Sequence, residues 1–199
     1  MTRWITVIGV AVPGLVLGGF GLIHPAFLAP STAMAWWQLH IPLIPLFPLL
    51  TVALFVVLRG QRGVLPWVAR IGGYLFACLY TALDTISGIG AGVVTDSIGG
   101  SQAVLDLFAV GDRLGQIGVG CLAAAVVVAG VVLFRRDGVR VVPSVLVLLV
   151  SSYGFFVHHI FSPYGALSMF GFALGFAGLA AANRPGVPVT REREPVPAG

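Results

Sequence analysis

Apolar residues in this chain come in six long runs, at about residues 5–23, 41–58, 71–95, 105–134, 141–161 and 164–182. Short polar, glycine-bearing or proline-bearing segments separate them. A helix crosses the roughly 30 Å hydrocarbon core of a bilayer in about 20 residues, and each run has about that length. The fourth is longer, and polar positions recur with helical period through its first third. A closed barrel is the other way to span a bilayer, but it needs strictly alternating segments of about ten residues. Stretches such as AAAVVVAGVVLF at 123–134 are continuously apolar instead. The pattern predicts an all-α polytopic membrane protein: a six-transmembrane-helix bundle over residues 1–183, then a polar tail at 184–199.

Composition agrees. Of the 199 residues, 58% are apolar and 9% are charged, against about 45–50% and 25% in soluble domains. Too little charge remains to cover a soluble surface. The basic residues are all arginine, and the net charge is +4. In a membrane chain their placement carries the information. Arg3 precedes the first run. Arg59, Arg62 and Arg70 lie between the second and third, and Arg135, Arg136 and Arg140 between the fourth and fifth. Arg184, Arg191 and Arg193 follow the sixth. With six crossings, ten of the eleven arginines fall on one side, which should be cytoplasmic. Both termini are then inside, in a multi-pass protein of the cell (inner) membrane, and the charge excess reports orientation rather than nucleic-acid binding.

Arg3, the first apolar run and Ala33-Met34-Ala35 resemble a secretory leader with its cleavage site. The run is long for a leader, and the Ala site lies a dozen residues beyond it, so the segment is expected to stay as a membrane span. The tail NRPGVPVTREREPVPAG, with four prolines and alternating charge, cannot build a core and is expected to be disordered and cytoplasmic. Cys78 and Cys121 sit in apolar runs without a Cys-x-x-Cys motif and are expected to pack as small apolar residues.

The candidate chemistry gathers at the end opposite the arginines. His24 closes the first run, His40 opens the second, and His158 and His159 close the fifth. Asp96, Asp106 and Asp112 lie toward the same side. In the fourth run Gln102, Asp106, Asp112, Arg113 and Gln116 share an arc of about 120°, which should face the bundle interior or water. Asp84 lies in the third run with Tyr80, Thr81, Ser87 and Gly88 on its face. By the helical rise, Asp84 falls roughly 15 Å below the outer boundary and Arg113 roughly 10 Å, so the two are expected to form a buried ion pair. Ser144, Ser151 and His158, at seven-residue spacing, form one polar line in the fifth run, with His159 pointing 100° away. Pro42, Pro45 and Pro48 predict a kinked or re-entrant lip beside the histidines. Gly14/Gly18, Gly88/Gly92, Gly111/Gly115 and Gly171/Gly175 permit close helix approach, within the bundle or in a homodimer.

These residues support three readings. In the first, an outward-facing polar pocket between the second and fifth runs binds or transports a small solute or ion, through Asp84, Arg113, Asp112, Gln116, Tyr80 and Ser151. In the second, His24, His40 and His158 bind a metal or haem iron in a membrane-embedded enzyme or redox protein. In the third, the polar residues hold together an accessory subunit of a membrane complex. Nucleotide-binding loops and hydrolase or metalloprotease signatures are absent from the sequence.

Overall fold

The computed structural model describes residues 3–182, so the expected tail, with Arg184, Arg191 and Arg193, lies outside the described residues. Those residues are all-helical, without strands. The helices are α1 (Arg3–Ile23), α2 (Ala33–Leu46), α3 (Pro48–Val57), α4 (Val64–Leu83), α5 (Ala91–Ile98), α6 (Gln102–Asp137), α7 (Val142–His158) and α8 (Tyr164–Ala182). Five stretches are long and apolar enough to cross a membrane: Arg3–Ile23, Ala33–Val57, Val64–Ile98, Gln102–His158 and Tyr164–Ala182. The fourth folds back on itself. Gly138 takes a left-handed φ of 70°, which a Cβ disfavours, and ends α6. A 3-10 turn, Gly138–Val141, then starts α7, which returns along α6 with Val145 against Gly130.

The packing closes into a ring. α1 lies on α8, α8 on α7, α7 on α6, α6 on α4, α4 on α3 and α3 on α1. Small residues set the close approaches: a Cβ on Gly14 would fall 2.5 Å from the Ala173 backbone, and one on Gly175 would fall 2.5 Å from Leu148. All eight of the paired glycines meet other helices of their own chain. At one end Arg3 bonds the Ala181 carbonyl, and Arg70 reaches the carbonyls of Leu58 and Gln61 at 2.9 and 3.2 Å.

Two expectations change. The proline segment is not a re-entrant lip: α2 runs through Pro42 and Pro45, and Phe47, at φ −60° and ψ −43°, keeps helical backbone into Pro48, the first residue of α3. The prolines remove donors without bending the chain out of the helix, and a first-turn proline is comfortable. The helices at the end opposite the arginines are also longer than their apolar runs. α6 has 36 residues, about 54 Å at 1.5 Å per residue. Counted back from Arg135, about 20 residues of bilayer core reach only to about Gly115. By that count Asp112 and Arg113 would stand at about the far boundary of a bilayer rather than deep within it.

Candidate metal centre

Each side chain of the centre is placed by a local irregularity. α1 stops at Ile23 because Pro25 disfavours helical backbone in the residue before it, leaving His24 in the turn. Its Nδ1 donates to the Pro25 carbonyl at 2.8 Å. His40 lies on the buried face of α2, where Nδ1 donates to the Trp36 carbonyl at 2.7 Å. Gly88 lets it lie flat, since a Cβ there would fall 2.2 Å from the His40 ring. Asp84 opens a seven-residue π-helical segment, Asp84–Gly90, between α4 and α5. Such turns are uncommon and frequent at functional sites. His159 follows the last residue of α7 and takes φ 51°, which swings its ring into the bundle. Its Nδ1 shares a hydrogen bond with the Tyr80 hydroxyl.

These residues converge. One ligand atom each from His40, Asp84 and His159 lies within 4.8 Å of the other two. His40 is 1% exposed and Asp84 0%. The His24 ring stands 5.0 Å from that of His40 and 6.3 Å from that of His159. Both Asp84 oxygens and His24 Nε2 are buried without a hydrogen-bond partner. Desolvation holds the His24 imidazole down to about 4, so it is neutral at physiological pH and its Nε2 lone pair is available.

The surroundings are aromatic on two sides. Phe47, Phe76, Tyr80 and Phe155 form a layer toward the arginine end, with Tyr80 4.6 Å from Phe47 and 4.7 Å from Phe155. Trp36 and Phe161 cover His24 at 4.8 and 4.9 Å. A cavity of about 260 Å³ opens beside the centre, with His40, Tyr80 and His159 on one wall and Ser87, Asp112 and Gln116 on another.

The structure rearranges the expected site in three ways. Asp84 and Arg113 form no ion pair: Arg113 is exposed, and the one ion pair among the described residues joins Arg136 to Asp137. The metal trio expected as His24, His40 and His158 loses His158, which is exposed and lies 5.0 Å from the Tyr164 ring. His159 takes its place, because a helical wheel drawn through 159 runs past the end of α7. The turn-forming Ser162-Pro163 a few residues on was the signal for that ending. Ser151 belongs to the α7–α8 contact, facing Gly171, and does not line the cavity. Tyr80, Asp112 and Gln116 do line it, while Gln102 bonds Asp106 on the exposed surface of α6.

The donor set suits an ion. Neutral imidazoles and a carboxylate are ligands for Zn²⁺, Fe²⁺ and related cations, and the two-His-one-carboxylate set is one that non-haem iron uses. In His24 and His40 a backbone carbonyl takes the Nδ1 proton and leaves Nε2 for a metal, the arrangement common around metal-bound histidines. Three ligand atoms within 4.8 Å of one another suit a single ion. No protein-family model matches the chain, no curated protein matches it in sequence, and no solved structure matches it in fold.

Proposed function

We propose that this is a multi-pass membrane protein that binds one divalent transition-metal ion through His40, Asp84 and His159, with His24 as a further ligand. The observation that carries the reading is the Asp84 carboxylate, fully buried with neither oxygen partnered, within 4.8 Å of two imidazoles. A buried ionised carboxylate without a counter-charge is costly, and a cation supplies one. His40 and His159 orient the ion, and Tyr80 holds the His159 ring in place. The adjoining cavity is the route for the ion, or for a small ligand that completes its coordination. In this reading the chain crosses the cell membrane six times with both termini inside, since α6 and α7 cross separately, and the cavity faces outward.

The test is Co²⁺ titration of purified, chelator-stripped protein, followed by visible absorption and elemental analysis. One equivalent should bind, with ligand-field bands in the visible. His40→Gln, Asp84→Asn and His159→Gln should each abolish stoichiometric binding, and His158→Gln should not. Tyr80→Phe should weaken binding about tenfold or more, as loss of an outer-sphere partner does. Absence of stoichiometric metal, or equal binding by His159→Gln and His158→Gln, sinks the reading.

A further inference from the structure

At the opposite end two hollows meet on one residue. The first is a basic pocket between the α3–α4 loop and the end of α6, lined by Gln61, Arg62, Arg135 and Arg136 among others. The second is an apolar groove between α6 and α7, lined by Val127, Val131, Phe134, Val145 and Leu149, with Arg135 at its mouth. Arg135 stands on the ridge of α6 between them. Its neighbour Arg136 is neutralised by Asp137, while among the described residues Arg62 and Arg135 have no acidic partner.

We infer that this is a binding site for one anionic phospholipid, with the phosphate on Arg62 and Arg135 and an acyl chain in the α6–α7 groove. Guanidinium groups match phosphate oxygens with paired donors, and basic pockets between membrane helices suit anionic headgroups. The groove argues for a lipid over a free phosphate: it holds about 460 Å³ along an almost wholly apolar wall, which a phosphate ion cannot use. The depth agrees, because Arg135 ends the apolar run of α6, where a headgroup meets the acyl region. This inference rests on the helices lying in a bilayer and is independent of the metal centre.

The test is native mass spectrometry of the full chain from mixed detergent micelles containing equal phosphatidylglycerol and phosphatidylcholine. The wild type should keep one phosphatidylglycerol per chain in preference to phosphatidylcholine. Arg62→Gln and Arg135→Gln should each lower that retention roughly fivefold, while Arg140→Gln, which removes an equal charge outside both hollows, should leave it unchanged. Val131→Trp, which fills the groove, should lower it with every arginine in place. Millimolar inorganic phosphate or glycerophosphoglycerol should not displace the lipid. Equal retention of the two lipids, equal loss with Arg140→Gln, or displacement by phosphate would each overturn the proposal, the last by showing a simple anion site.

Discussion

The two ends of the bundle treat polar groups in opposite ways. At the arginine end, three arginines meet partners within the fold: Arg70 reaches the carbonyls of Leu58 and Gln61, Arg3 reaches that of Ala181, and Arg136 pairs with Asp137. At the histidine end, His24, His40 and Asp84 lie inside the packing, and His24 and Asp84 have atoms with no partner. The four buried side-chain atoms without a hydrogen bond, His24 Nε2, both oxygens of Asp84 and Ser101 Oγ, are all there. Buried polar atoms in folded chains are nearly always satisfied. The contrast separates groups that serve the fold from groups held ready for something the fold does not contain.

That comparison can be broken at its sharpest point by Gly88→Leu. A Cβ at Gly88 already meets the His40 ring at 2.2 Å, so a larger side chain must displace His40. Metal binding should be lost, and melting in detergent should show a cost of about 3 kcal/mol. Gly120→Ala, which meets nothing within 4 Å, should stay within about 0.5 kcal/mol of the wild type. Equal melting of the two variants would mean that the histidine end is no more tightly specified than a lipid-facing surface.

Asp84→Leu sharpens the comparison with the opposite sign. Removing an unpartnered buried carboxylate should stabilise the metal-free protein by about 1–3 kcal/mol and erase the gain in melting temperature on adding metal. A lower melting temperature in chelator would show that Asp84 serves the fold after all. A smaller effect is expected from pH. Protons and metal compete for the same imidazole nitrogens, and burial holds His24 down to about 4, so affinity should hold between pH 7 and 5 and fall only as pH drops toward 4. A loss of about tenfold already complete by pH 5 would mean that the ligands are ordinary exposed histidines rather than the buried His24. Smallest of all, His158→Gln should change stability by less than about 0.5 kcal/mol, because His158 is exposed and its ring meets the exposed Tyr164 ring at the edge of the cavity.

Much of this was legible in the chain. Each apolar run falls on a helical stretch, but α2 and α4 begin several residues before their runs, at Ala33 and Val64, and the fourth and fifth runs belong to one stretch that folds back at Gly138. The nearness of His24 and His40 is expected from their places at the ends of the first two runs, but the same reading assigns Asp84 to Arg113 rather than to the metal set. The choice of His159 over His158 was not legible, because periodicity holds only while the helix lasts, and α7 stops one residue short of it. The Asp84–Arg113 pairing failed for a related reason. Depth counted along a regular helix ignores both the π-helical segment at Asp84–Gly90 and the length of α6 beyond the bilayer. Of the two forms that Pro42, Pro45 and Pro48 predict, the re-entrant one fails, since helical dihedrals persist through a lost donor, while α2 and α3 part at Phe47, beside Pro48.

The scatter of the centre along the chain bears on how the protein is made. His24 follows the first helical stretch, His40 lies in the second, Asp84 in the third, and His159 just beyond the fourth. On the proposed topology, with synthesis running from the N-terminus, Asp84 would enter the bilayer before His159 exists. An acidic residue at mid-helix opposes insertion by about 2.5–3.5 kcal/mol, and Val64–Ile98 is the least apolar of the five stretches. The partner already waiting is α2, which lies against the π-helical segment with His40 over Gly88. Insertion of the third stretch is therefore also a pairing step, in which the first half of the ligand set shelters the carboxylate until α6 and α7 arrive to close around it.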